Sequence, residues 1–442
     1  MVLTALLSSG CGTIKVDLIS DGTQTAQAQQ AQGSEAAASD TGSPLPAPQQ
    51  TEAPTELPTE APTAKPTEAP TAEPTPEPTP ITASVGFAGD VLMMQSQIAA
   101  ARKSGGGYDF TSQFRPMQGL FESVDFMLLN FEGTLAGKDA GYTGPKPEVG
   151  FQRFNAPDEI VGDLMALGVD GFSTANNHCL DKGVDGLLRT VEVMDACGVF
   201  HTGTFSSPER QKTADIIELN GIKVGFVSVT NSVNSYDGIL SAEQAKYMVN
   251  RLGNSEMTEA AIRRCREQGA ELVIVMMHVG EEYQNYQNSV QEAFALNLIK
   301  WGADAVIGCH AHVVQPIRWM SAMRGNENTV APVVYSMGNF VSNMSSSVYP
   351  TNIGLFIRLD IEKDEYGARV AGISYAPVYN SIRWDAGYTN EVIPCFDDMT
   401  GVEAKFGISS YMSGINKAIA HCEDIIGESV ERLTNPKTER YD

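Results

Sequence analysis

No CxxC pair occurs among the seven cysteines of this chain (positions 11, 179, 197, 265, 309, 395 and 422), so neither a zinc knuckle nor a thioredoxin-type redox motif is expected. Basic residues are scarce: 30 Lys plus Arg stand against 54 Asp plus Glu, a formal charge of -24. That balance argues against nucleic acid as a partner and against direct attraction to an anionic membrane surface. No apolar run reaches the ~20 residues that a membrane-spanning helix needs. Core-forming sequence is nearly missing from residues 12–82, where Gln/Ala/Ser-rich stretches lead into Thr-Glu-Ala-Pro and Pro-Thr repeats. Proline this dense prevents helix and sheet, so the segment is expected to be a disordered Pro/Thr/Glu-rich tether.

The segment 1–11 ends in an apolar run, small residues and Cys11, a pattern similar to the end of a bacterial lipoprotein signal. Two features depart from it: no Lys or Arg precedes the run, and Ser8 stands where an aliphatic residue is usual. The expectation is a protein lipid-anchored at, or secreted to, the extracellular face of the cell membrane, with a stalk that clears the wall.

From Ala83 the composition turns globular, and enough chain remains for a large core. Strand-like runs fall at about 84–89, 124–130, 169–175, 222–229, 271–277, 303–307, 332–336, 353–360 and 369–376. Helical patterns lie at 156–167, 184–197, 255–268 and 289–301. Three connections share one grammar: Gly168-Val-Asp, Gly269-Ala-Glu and Gly302-Ala-Asp each end a helix with glycine and start a strand. This repetition predicts α/β layering with parallel segments. The later strands lack intervening helices, so they are expected to pair antiparallel. A domain at 83–380 and a less regular C-terminal extension at 381–442, with a helix near 413–432, complete the reading.

Four of the six histidines follow apolar, β-branched runs, in Asn176-Asn177-His178, Met277-His278 and Gly308-Cys-His310-Ala-His312. Asp90 and Glu132 stand in the same setting, after Val85–Gly89 and Phe126–Phe131. Buried strands of one sheet that end together bring such residues to one place. Neutral imidazoles with carboxylates suit Zn, Mn or Fe better than Ca, which prefers oxygen alone. Gly308 is expected to help the backbone turn so that both imidazoles of His-Ala-His reach one cavity. His178 could donate a proton to a leaving group, with Asp181 fixing its tautomer. Cys179 and Cys309 are read as free buried thiols, His201 as a rim or core residue and His421 as solvated. Tyr335–Phe340 either lines the cleft or forms a turn.

In this order, Gly89-Asp90, Asn130-Phe-Glu132-Gly, Ala175-Asn-Asn-His178, His278-Val-Gly-Glu, Gly308-Cys-His-Ala-His312 and Tyr335-Ser-Met-Gly-Asn-Phe340 resemble the CapA family of poly-γ-glutamate capsule synthesis, over residues 83–376. That family is similar in turn to calcineurin-like metallophosphoesterases. The resemblance implies a four-layer α/β sandwich, two mixed sheets flanked by helices, holding one or two divalent ions. It makes Asp90, Glu132, Asn177, His278, His310 and His312 the metal ligands and His178 and Asp181 the catalytic pair. Where phosphoesterases carry Asp-x-His, this chain has Asp90-Val91-Leu92, so one imidazole is missing. Glu132 replaces their Asp, and Asn176 replaces a glycine.

The function this implies is synthesis, export or attachment of an anionic polymer such as poly-γ-glutamate, through a metal-dependent hydrolase-type site acting on the polymer or on a phosphoester. The implied partners are membrane-bound polyglutamate synthase components, with no nucleic acid. The rival expectation is a non-catalytic accessory of the synthase, binding polymer or partner through a degenerate metal site.

Overall fold

Continuous apolar runs rather than alternating ones mark most of the central strands, because both faces of each are covered. Leu272–His278 is buried at every position, as is Phe126–Phe131. The computed structural model describes residues 79–147, 150–344, 347–383 and 389–433. The lipoprotein-like segment and the tether up to residue 78 lie outside these residues; the tether's expected end at 82 is too late, because Ile81 and Thr82 already pair with the strand Ile353–Asp364.

The chain first lays down β1 (Ile81–Val91), β2 (Phe126–Phe131), β3 (Gly171–Ser173) and β4 (Phe200–Thr202), all parallel neighbours in one sheet. A second sheet follows, from β5 (Asp215–Leu219), β6 (Ile222–Thr230), β7 (Leu272–His278), β8 (Ala305–Cys309), β9 (Ile317–Arg324) and β10 (Glu327–Val334). Its spatial order is β5-β6-β7-β8-β10-β9. The chain then returns to the first sheet as β11 (Asn339–Val341), β12 (Ile353–Asp364), β13 (Gly367–Arg383) and β14 (Thr389–Pro394). That sheet runs β14-β13-β12-β1-β2-β3-β4, with β11 beside the end of β1.

The sheets pack face to face. Phe226 of β6 meets Phe126 of β2 at 5.2 Å and Phe200 of β4 at 5.5 Å between ring centroids, and Val85, Leu128, Ile274 and Ile307 belong to the same buried cluster. Helices Ser255–Glu267 and Ser289–Trp301 cover the outer face of the second sheet through Ile262, Cys265, Leu298 and Ile299. Helix Met412–Ile426 packs on β13 of the first. The fold is therefore the expected layering of helices, two mixed sheets and helices.

The three helix-to-strand glycines have φ of 102°, 101° and 122° at Gly168, Gly269 and Gly302, the left-handed turn their pattern predicts. β12 and β13 pair antiparallel as expected, but β10 lies parallel to β8 without an intervening helix. The edge strand β9 makes that return instead, through a two-residue Gly325-Asn326 turn into β10. β4 and β11 escape a reading by periodicity because three residues carry no recognisable period.

The boundary at 380 also needs correction. It falls inside β13, and the following segment supplies β14, paired to β13 along its length. A buried polar chain stitches it in place: Gln97 donates to Asn390 at 2.9 Å, Asn390 to Asn380 at 2.6 Å, and Asn380 to the Ser342 carbonyl. Ile393, Phe396, Ile408, Ile415 and Ile426 are buried in the main core. Residues beyond 380 thus complete the domain. His421 is half-buried rather than solvated, and burial lowers its pKa.

Burying such side chains stabilises by roughly 1.5–3 kcal/mol each, and a whole domain is stable by only about 5–15 kcal/mol. A chain ended at Asn380 is therefore expected to lose soluble expression and cooperative melting. A soluble fragment ending there with a sharp thermal transition would contradict this.

Candidate metal centre

Parallel strands of both sheets end on one side of the molecule, and the predicted residues stand there. Asp90 closes β1, with Asn130 of β2 and Asn339 of β11 as its register partners, and Glu132 follows β2. Asn177 and His178 follow β3, His278 closes β7, and His310 and His312 follow β8. All six predicted ligands and the His178–Asp181 pair come together, and only His310 among the eight is not fully buried.

Gly308 contributes differently from what its position suggests. A Cβ there would lie 2.1 Å from the Tyr335 carbonyl oxygen, so glycine lets β8 approach that backbone. The turn itself is made by His310 and His312, with φ of 97° and 59°. Non-glycine residues avoid this region, so the surrounding structure holds both imidazoles against local preference. Tyr283, with φ of 66°, braces the turn by donating its backbone N–H to the Ala311 carbonyl at 2.8 Å.

The donors converge on Glu132. His278 Nε2 lies 2.9 Å from Asn177 Oδ1, 3.1 Å from His310 Nδ1 and 3.7 Å from Glu132 Oε1. His312 Nδ1 lies 3.0 Å from Asn339 Oδ1 and 3.3 Å from Asp90 Oδ2. Asn130 Nδ2 donates to Asp90 Oδ1 at 2.7 Å. Two groups could each hold an ion, Glu132-His278-His310 and Asp90-Glu132-His312, with candidate atoms within 4.8 Å of one another. Glu132 is common to both.

The charges agree with a cation-binding pocket. Neither carboxylate oxygen of Glu132 has a hydrogen-bond partner, although the side chain is buried. Burial, then repulsion from Asp90, Glu282 and Asp181, raises its pKa well above 4.5. Burial also acts to raise Asp90, but the His312 hydrogen bond and the nearby imidazoles outweigh it and hold Asp90 at about 2. Burial lowers His278 well below 6.5, with His310 adding to the effect, and lowers His310 to about 4. Both are therefore neutral near pH 7, the form that offers a lone pair to a metal. His312 rises because Asp90 outweighs its burial. A partnerless buried carboxylate, facing nitrogens with no acceptor between them and mixed N/O chemistry fit a divalent ion of the Zn, Mn or Fe type.

His178 stands at one edge of the centre. Its Nδ1 lies 2.7 Å from Asp181 Oδ2, and its Nε2 is turned toward Glu132 Oε1 at 3.9 Å. Phe154 donates its backbone N–H to the same Asp181 oxygen at 2.6 Å and sets its ring edge-on to His178, 4.6 Å between centroids. Asn176 anchors the loop by donating to the Phe131 carbonyl at 2.7 Å and accepting from the His178 N–H. Cys179 and Cys309 are free and buried, and burial pushes the Cys179 thiol up to about 12. His201 lies apart, bonded to Asp195.

Sequence reasoning assigned no role to Asn234, Phe154 or Tyr283. None sits in a run with a period, and only folding brings these loops to the centre. Asn339 belonged to the Tyr335–Phe340 stretch, and that stretch does line the centre.

A family model for the bacterial capsule synthesis protein PGA_cap matches residues 84–344, which include every residue of the centre. The chain belongs to the PGA_cap family. Relatives are the PGA biosynthesis protein CapA of Bacillus subtilis, 26% identical over 266 residues, and the capsule biosynthesis protein CapA of Bacillus anthracis, 24% identical over 255. These alignments cover 58% and 57% of this chain and 63% and 58% of those proteins, so this chain spans about six tenths of the relatives' length. A Mycobacterium tuberculosis protein named "Probable polyglutamine synthesis accessory protein" is 25% identical over 50% of this chain and 56% of its own length. Among solved structures, the calcineurin-like phosphoesterase YfkN of Bacillus subtilis aligns with 78% of this chain and 100% of its own, at a TM-score of 0.42 and 18% identity. The PGA_cap match ends before β12, so the strands that finish the first sheet lie outside it.

Glu132→Gln separates folding from binding. In the metal-free protein the Glu132 contribution to stability is full below the ordinary value of 4.5 and is lost as pH rises through the raised one. The variant is therefore expected to match the parent near pH 4 and to exceed it at pH 7 by about 1–3 kcal/mol, the cost of a buried unsatisfied polar group. Added Mn or Zn should raise the parent's Tm and leave the variant's nearly unmoved. Equal metal-induced shifts in both proteins would remove Glu132 from the centre.

Proposed function

We propose that this PGA_cap protein acts at the cell surface in the synthesis, export or attachment of an anionic capsule polymer such as poly-γ-glutamate, through a metal-dependent hydrolytic site. The observation that carries the reading is the partnerless, buried Glu132 carboxylate ringed by imidazoles and Asp90, with the His178–Asp181 pair at its edge. The Cys11 segment and the proline-rich tether support a surface location, and no helix among the described residues is long and apolar enough to cross a membrane.

Asp90, Glu132, Asn177, His278, His310 and His312 would hold one or two divalent ions. Such an ion polarises a phosphoryl or carbonyl oxygen and lowers the pKa of water toward about 7. The chain's own contribution is orientation and proton transfer. Asp181 accepts from His178 Nδ1, which directs Nε2 toward the centre and lets it serve a leaving group there. Phe154 holds both partners, one by its backbone N–H and the other by its ring.

One feature favours a second reading, in which the domain is a non-catalytic accessory of the synthase. Leu92 is an apolar, buried side chain where the phosphoesterases place an imidazole, so the Asp90-Glu132-His312 group has fewer donors.

His178→Asn is expected to lower turnover of a phosphoester or γ-glutamyl substrate by roughly 10²–10⁴-fold, the usual size of a general acid–base contribution, with metal content unchanged. His310→Ala should lose both metal and turnover. Capsule production retained in a folded His310→Ala protein would instead support the accessory reading.

A further inference from the structure

A cavity of about 580 Å³ opens beside His178, with Gln152, Arg153, Lys182, Asn234 and Tyr236 in its walls. Its walls join the catalytic pair at three points. Asn234 Nδ2 lies 3.4 Å from both ring nitrogens of His178, and Asn234 Oδ1 accepts from Asn177 Nδ2 at 3.2 Å. Arg153 directly precedes Phe154, whose backbone and ring hold Asp181 and His178. Lys182 directly follows Asp181. Asn234 is thus shared between the cavity wall and the surroundings of His178.

Two cations line it in a chain whose formal charge is -24. Some cations of the domain meet carboxylates, as Arg189 does with Asp158, Arg210 with Asp215 and Arg251 with Asp237. Among the described residues, Arg153 and Lys182 make no such pair. Lys182 Nζ donates to the Ala140 carbonyl at 3.1 Å, and the Arg153 guanidinium lies 5.7 Å from the Tyr236 ring centroid. Burial and the neighbouring Arg153 charge push the Lys182 pKa down, and the adjacent Asp181 only partly opposes them. On the other side of the centre, the exposed carboxylate of Glu282 acts on His310 and His312.

We infer that Arg153 and Lys182 form an anion subsite, which binds a carboxylate or phosphate group carried by the part of the substrate that leaves toward His178. An Arg fork and a Lys ammonium give charge-assisted hydrogen bonds to either group. The direction of departure rests on the hydrolytic reading above, whereas the anion site itself rests on the cavity and its unpaired cations.

Calorimetric titration of the full chain at low salt, with and without Mn²⁺, tests this. The probes are a short γ-linked glutamate oligomer, its uncharged γ-linked glutamine counterpart, and inorganic tripolyphosphate. Combined Arg153→Ala and Lys182→Ala substitution is expected to weaken anion binding about tenfold or more, to flatten its salt dependence, and to leave metal content and binding of the uncharged oligomer unchanged. Preference for the oligomer or for tripolyphosphate identifies the carboxylate or the phosphate as the ligand. A double variant that binds both anions as tightly as the parent, or a parent that binds neither, overturns the subsite. If the parent turns over no substrate yet loses anion binding in the double variant, the hydrolytic reading fails and the subsite stands.

Discussion

A carboxylate sealed from water with no donor to meet it is unfavourable in an isolated fold, and Glu132 is such a group. Its neighbours do not relieve it: Asp90 and Asp181 repel its charge, while burial holds the His278 and His310 imidazoles neutral. A bound divalent cation would resolve this conflict. The rest of the centre follows from placing that carboxylate where two groups of donors can share it.

Holding such a centre requires strain and close packing. His310 and His312 both adopt left-handed backbone, and the β8 end admits only glycine at position 308 because the Tyr335 carbonyl is so near. The asparagines around the centre hold its ligands: Asn130 holds Asp90, Asn339 meets His312, and Asn176 fixes the loop bearing Asn177 and His178. These contacts orient the imidazole and carboxylate groups, as a metal site with limited tolerance in geometry would demand. The two-sheet core and the C-terminal segment that completes the first sheet supply the burial around the centre.

Asn234 links the His178 ring to a cavity whose walls carry Arg153 and Lys182, neither of which pairs with a carboxylate among the described residues.

Sequence alone determined the α/β layering and the residues able to bind a cation, because continuous apolar runs signal doubly covered strands and His or carboxylate groups just past their ends stand out. Four of the helices were legible for the same reason, their apolar period lasting long enough to register. Tertiary structure decided what carries no local signal. The three-residue strands β4 and β11, the pairing of β10 with β8 and the sealing of the first sheet by β14 depend on partners far along the chain. So do the placement of Phe154, Asn234 and Tyr283 around the centre and the left-handed turns of His310 and His312. Glu132 could be read in the sequence as a carboxylate after a strand; only packing of the two sheets removed its water and every donor, and so made it the pivot of the centre.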